Sequence, residues 1–157
     1  MIKRVLLVCS GNTCRSPMAA AILKQLWQQA APGWDLEVAS AGTGAFGGEP
    51  ASMHAVTVMR ERGYDLSDHR SQSVSGEVLA NTDLVLTMTD RHKNDLLRAR
   101  PELSGRVFTL SEYAREQGDV QDPFGGTLHD YTSTAAAMEP LLKAVVRRIM
   151  EEGAPTV

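Results

Sequence analysis

Val5-Leu6-Leu7-Val8 is a continuous apolar run, bounded by Lys3-Arg4 on one side and by Ser10-Gly11-Asn12-Thr13 on the other. Consecutive β-favouring apolar residues predict a strand over Lys3 to Cys9 that is buried on both faces, as in a parallel sheet. Ser16-Pro17 then opens a helix, with Ser at the N-cap and Pro at the first helical position. Met18, Ala19, Ile22, Leu23, Leu26, Trp27 and Ala30 follow at spacings of three and four. They form one apolar stripe of an amphipathic helix, which Pro32-Gly33 stops.

The alternation continues downstream. Leu36 to Ser40 reads as a second strand and Gly42 to Pro50 as a Gly-rich loop. A helix from Ala51 to Arg62 follows, with Gly63 as its C-cap and with Met53 and Met59 in its core stripe. Tyr64 to Ser75 is polar loop and Ser75 to Ala80 a short helix. Asp83 to Thr89 is a third strand, Asp90 to Arg98 a helix, and Arg106 to Leu110 a fourth strand. A loop from Gly118 to Asp130 leads to a closing helix, Thr132 to Glu151, which Pro140 is expected to kink or split. Strands alternating with helices predict one α/β domain over 1–157 with a parallel sheet. Ligands of such sheets bind at the carboxyl ends of the strands.

Composition narrows the setting. A chain of 157 residues, 43% hydrophobic and 22% charged, has room for one domain and not two. The net charge of -3 argues against nucleic acid or an anionic membrane as the main partner. The two cysteines, Cys9 and Cys14, are too few and too close to staple a secreted scaffold. The N-terminal apolar run is too short for a signal-peptide core or a membrane span. A cytoplasmic protein with free thiols is the expectation, and its charge and composition fit a monomer. His54, His92 and His129 are too scattered to argue a metal site.

The chemistry concentrates in Cys9-Ser10-Gly11-Asn12-Thr13-Cys14-Arg15-Ser16, a loop between a buried strand and a helix N-terminus. The first helical amides lack intrahelical partners, and with the loop amides they form a nest for an anion. Gly11 and Asn12 tolerate the left-handed backbone that a nest uses. Arg15 adds a planar fork matched to two phosphate oxygens. Cys9 sits where these donors converge, so the same field favours its thiolate, a nucleophile facing a bound phosphoryl group. Ser16 can donate to the sulfur when sulfur leaves. Asp122, held by Pro123, is the candidate acid for the departing group, with Asp119 and Asp130 as rivals. Cys14 either packs under the loop or pairs reversibly with Cys9 after oxidation. Phe124 reads equally as core or as pocket wall.

Cys9 through Pro17, together with Ser40-Ala41-Gly42, His69 and Asp122-Pro123, resembles the low-molecular-weight protein tyrosine phosphatases over essentially the whole chain. The resemblance implies a three-layer sandwich, a four-stranded parallel sheet flanked by helices. It also implies a phosphocysteine intermediate, phosphorylated protein substrates, and neither metal nor other cofactor. It makes Cys9 the nucleophile, Arg15 the phosphate ligand and Asp122 the general acid. Ser10, Gly11, Asn12, Thr13, Cys14 and Ser16 would line the phosphate site with Phe124 beside it, and Asn12, Ser40 and His69 would hold the loop.

Two departures shift the substrate expectation. Typical tyrosine phosphatases of this family carry an aliphatic residue in place of Thr13 and two aromatics after Asp-Pro. Here Thr13 and Phe124-Gly125-Gly126 resemble the bacterial protein arginine phosphatase branch, as do His54-Ala55-Val56 and Val107 to Tyr113. A hydroxyl at Thr13 could orient water against a phosphoramidate, and Gly125 leaves less aromatic wall for a phenol. Phosphoarginine is the favoured substrate and phosphotyrosine the alternative. Thiol-dependent arsenate reduction on the same fold is remote, because the electron relay needs cysteines beyond Cys9 and Cys14. A phospho-residue binding module ranks last, since nucleophile and acid are both present.

Overall fold

Alternation within β1 (Arg4–Cys9) sets the architecture. Val5, Leu7 and Cys9 enter one core while Leu6 and Val8 enter another on the opposite face. The computed structural model describes residues 1–30 and 32–153, so the last four residues of the expected 1–157 domain lie outside the described residues. β2 (Glu37–Gly42), β3 (Leu84–Thr87) and β4 (Val107–Thr109) complete a four-stranded sheet in the order β2-β1-β3-β4. Every pairing is parallel. β1 is therefore flanked on both sides, and its carboxyl end meets Gly42 of β2 and Thr87 of β3.

The sheet lies between two helical layers. α1 (Arg15–Ala30), α2 (Met53–Glu61) and the long α6 (Leu128–Gly153) cover one face. They contribute Met18, Ile22, Leu23, Val58, Met59, Met138 and Leu142 to the larger core. α3 (Gly76–Leu79), α4 (Asp90–Ala99) and a 3₁₀ turn at Pro101–Leu103 cover the other, through Leu79, Leu96 and Leu103. This is the three-layer α/β domain expected from the sequence.

Several local expectations are corrected. α1 begins at Arg15, so Ser16 is not its N-cap but lies buried in the first turn. α6 starts at Leu128 and runs unbroken through Pro140. The proline ring and Ala136, whose carbonyl loses its partner, both face solvent, where water can satisfy the carbonyl. A proline inside a helix costs about 3 kcal/mol. Ala135, Met138 and Leu142 are fully buried on either side and hold the helix across the break in its ladder. Met59 is fully buried, but Met53 is 83% exposed, because α2 begins there rather than two residues earlier. β4 ends at Thr109, whose side chain and Glu112 form a capping box that turns Leu110 into the short α5 (Leu110–Tyr113). Gly63 follows the C-cap Arg62 at φ +92°, the left-handed position that glycine fills most readily.

Gly42 is the tightest junction of sheet and loop. A Cβ there would run into the Ser10 carbonyl oxygen, would meet Ala45 Cβ at 2.7 Å and would stand 3.1 Å from the Asn12 amide. Gly42→Ala should destabilise the protein by about 1–3 kcal/mol through overpacking and displace the loop. Thermal unfolding and vanadate binding should both report the loss. An unchanged melting temperature with undiminished vanadate affinity would show that the loop accommodates the methyl group.

Candidate active site

The Cys9–Ser16 loop sits at the carboxyl end of the central strand, and its carbonyls are drawn outward by neighbours. Cys9 O accepts from Thr43 N, Ser10 O from Gly44 N and Thr13 O from Ser52 N, each at 2.9 Å. Asn12 O accepts from His69 Nε2 at 2.7 Å. With the carbonyls turned out, the amides of Gly11 to Arg15 find no protein acceptor among the described residues. They form the anion nest that the sequence predicted. The left-handed turn in it is Asn12 alone, at φ +57°; Gly11 does not adopt a positive φ, which corrects its expected part.

Asn12 holds the loop through its side chain as well. Its Nδ2 donates to Ser16 Oγ at 2.8 Å and to Ser40 Oγ at 2.9 Å, and its Oδ1 accepts from Gln72 N at 2.9 Å. Gln72 Nε2 in turn donates to Ser40 O at 3.0 Å. The Ser40–His69–Asn12 association expected from the resemblance is present. Gln72 is an addition that its polar loop gave no reason to single out. Since Ser16 Oγ already accepts from Asn12, its hydrogen is free to point to Cys9 Sγ, 2.9 Å away. That arrangement puts a hydroxyl donor directly on the sulfur.

Arg15 is buried and reaches the segment that holds Val120 and Asp122. Nη1 donates to Val120 O at 3.1 Å, and Nη2 lies 3.4 Å from Asp122 Oδ2. Its Nε is the one buried side-chain nitrogen or oxygen without a partner among the described residues. A buried donor left open beside a ring of open amides is what a bound oxyanion would complete. The loop that carries Asp122 is tied to the end of β3, since Val120 N donates to Met88 O at 2.9 Å.

The three candidate acids separate by their engagements. Asp119 Oδ1 accepts from the first amide of α4, Asp90 N, at 2.9 Å. Asp130 Oδ2 accepts from Thr127 N at 2.8 Å, which caps α6 and holds the carboxyl below its ordinary range. Asp122 is half exposed, accepts from Phe124 N through Oδ1, and directs Oδ2 toward Arg15. Phe124 is 75% exposed, so it stands at the rim and not in the core.

Thr13 presents its side chain over Gly11, with Oγ1 3.8 Å from Cys14 Sγ. Cys14 is free and buried, with Sγ 3.3 Å from the Tyr131 hydroxyl and 3.6 Å from Ser52 Oγ. Burial, followed by the Cys14 contact, pushes Tyr131 up to about 12, so it retains its hydrogen at neutral pH. Ser10 Oγ lies 2.7 Å from His92 Nε2, a partner that sequence reading set aside along with the other scattered histidines.

A parallel-sheet end carrying an amide nest, a buried guanidinium and a thiol defines a phosphatase built on cysteine. The family model for low molecular weight phosphotyrosine protein phosphatase matches residues 4–154. A probable low molecular weight protein-tyrosine-phosphatase, EpsP of Ralstonia solanacearum, is 40% identical over 153 residues, covering 98% of this chain and all of that protein. A protein-arginine-phosphatase of Geobacillus stearothermophilus is also 40% identical, over 152 residues, covering 95% of this chain and 97% of the relative. The crystal structure of a YwlE mutant from Bacillus subtilis superposes with a TM-score of 0.88 at 36% identity, covering 94% of this chain and 98% of that one. The chain belongs to the low molecular weight phosphotyrosine protein phosphatase family.

The loop's supports make stability depend on pH. Burial holds His69 and His92 below the ordinary histidine value of 6.5, outweighing the Asn12 carbonyl at His69 and the acidic neighbours of His92. The folded state thus resists protonation that the unfolded chain accepts. Stability is full above pH 6.5 and falls as pH drops below it. Urea unfolding at pH 7.5 and 5.5 should show that loss, above the carboxylate range. His69→Gln should flatten the dependence, and an equal slope in that variant would contradict the assignment.

Proposed function

We propose that this phosphatase hydrolyses phosphoarginine side chains of proteins through a phosphocysteine intermediate, with residues 1–157 acting as one phosphatase domain. The observation that carries the cysteine mechanism is the Asn12–Ser16–Cys9 relay together with the unpartnered Nε of Arg15 in the same loop. The Cys9 thiolate attacks phosphorus while loop amides and Arg15 take up the charge on the equatorial oxygens. The P–N bond breaks, and Asp122 gives its proton to the departing guanidino nitrogen. The Asp122 carboxylate then removes a proton from water, whose oxygen attacks phosphorus. The S–P bond breaks, inorganic phosphate forms, and the Ser16 hydroxyl receives the thiolate. Ser10, Gly11, Asn12, Thr13 and Cys14 complete the phosphate cradle, while Ser40 and His69 hold it.

The arginine preference rests on Thr13. Its hydroxyl is not spent on a loop amide among the described residues, so it is available to a substrate or to water. Gly125, at φ +78°, leaves one aromatic instead of two after Asp122-Pro123. Phosphotyrosine is the second reading. It is favoured by the exposed Phe124 ring, a face on which a phenol can stack, and by relatives of both kinds at equal identity. The two free cysteines support a reducing, cytoplasmic setting, and among the described residues no helix is long and apolar enough to cross a membrane.

Cys9→Ser should abolish turnover while retaining vanadate binding, and Asp122→Asn should lower kcat by about 10²–10⁴-fold. Full turnover in the Cys9 variant would refute the nucleophile. Thr13→Ile should move the ratio of kcat/KM for phosphoarginine over phosphotyrosine toward phosphotyrosine. A ratio identical to the parent's would remove Thr13 from the specificity account.

A further inference from the structure

His92 has no part in the chemistry above, yet it is buried and bonded at both ring nitrogens. It stands on the first turn of α4, next to the carboxyl end of β3. Nε2 lies 2.7 Å from Ser10 Oγ and Nδ1 lies 2.9 Å from Thr89 Oγ1. Thr89 Oγ1 also caps α4 by accepting from the His92 amide at 3.2 Å.

Donor accounting gives this chain a direction. With the hydrogen on Nδ1, Thr89 Oγ1 would accept twice, and its own hydrogen would have no acceptor in a partly buried position. With the hydrogen on Nε2, Thr89 donates to Nδ1 and Nε2 donates to Ser10. The hydrogen left open is then that of Ser10, an exposed residue, where water or a ligand can take it. An unmade bond costs less there than at Thr89. Burial and the Arg15 charge keep the ring neutral, against the upward pull of Asp95, Asp122 and Asp119, so one nitrogen remains an acceptor.

We propose that His92 is a positioning residue: anchored by Thr89, it fixes the Ser10 hydroxyl as a hydrogen-bond donor toward the phosphoryl group held in the Cys9–Ser16 loop. The inference rests on the reading of that loop as the phosphoryl site. The backbone at Ser10 is already held, its carbonyl accepting from Gly44 N, so the hydroxyl rotor is the remaining freedom. Without the imidazole hydrogen, that oxygen can turn a lone pair toward the anion. With it, successive links polarise one another and the outward O–H strengthens. Ser10 follows Cys9 directly, so the donor acts at the mouth of the nucleophile's own loop.

The experiment compares the parent with Ser10→Ala, His92→Ala, the double variant and His92→Gln, on p-nitrophenyl phosphate turnover, vanadate affinity and thermal unfolding. Glutamine places an amide N–H close to where Nε2 stood. Loss of one donor to a charged group should lower kcat/KM about tenfold in S10A and in H92A. The double variant should lose no more than S10A, and H92Q should recover most of the loss. A merely structural His92 would lower thermal stability and cost the same factor in both backgrounds, and that additivity would overturn the proposal, as would an unchanged S10A. If H92A does not fold, H92Q decides. Activity near the parent with S10A reduced supports the relay, and the same loss in H92Q with Ser10 or with S10A overturns it. A parent that neither turns over the ester nor binds vanadate would instead refute the loop reading, and the relay with it.

Discussion

Asn12 is the residue on which the geometry of the site depends. Its left-handed backbone turns the Cys9–Ser16 loop so that carbonyls face out to Thr43, Gly44, His69 and Ser52 while amides face in. Its side chain then ties three separate pieces of chain together, Ser16 on α1, Ser40 on β2 and the Gln72 backbone. A single asparagine can do this because it tolerates a positive φ and carries both donor and acceptor. Each of these buried polar groups would cost about 1–3 kcal/mol if left unpaired. The network therefore holds the loop in its inward-facing form before any anion arrives, which is the preorganisation an oxyanion site needs.

The sheet order explains why the Cys9 loop and the loop carrying Asp122 come together although more than a hundred residues separate them. Placing β1 between β2 and β3 brings the β2 loop, with Gly42 and Gly44, to one side of the Cys9 loop, and the β3–α4 junction to the other. The loop carrying Asp122 anchors on that junction, Val120 N donating to Met88 O and Asp90 N to Asp119 Oδ1. Arg15 closes the circuit by donating to Val120 O and lying against Asp122. The guanidinium thus joins the Cys9 loop to the loop that carries Asp122.

Much of this was legible in the sequence. The apolar run before Cys9, the turn residues after it and the Arg15-Ser16-Pro17 entry to a helix specify strand, nest and helix N-terminus by local physics alone. The same local rules misled where tertiary contacts overrode them. Ser16 has the composition of an N-cap, but its hydroxyl is taken by Asn12 and Cys9. Pro140 should break a helix, but packing on both sides carries α6 past it. Gln72 and His92 were invisible for a different reason. Each gains its contact only when the parallel pairing brings it against the loop, and no periodicity or motif in its own segment marks it.

In the proposed reaction Cys9, held by this network, takes the phosphoryl group itself. Acid quenching of the protein during turnover, followed by mass spectrometry of its peptides, tests that step directly. The account predicts a phosphoryl adduct on the peptide containing Cys9, formed as fast as the leaving group is released. Turnover without an adduct, or an adduct on any other residue, would contradict it.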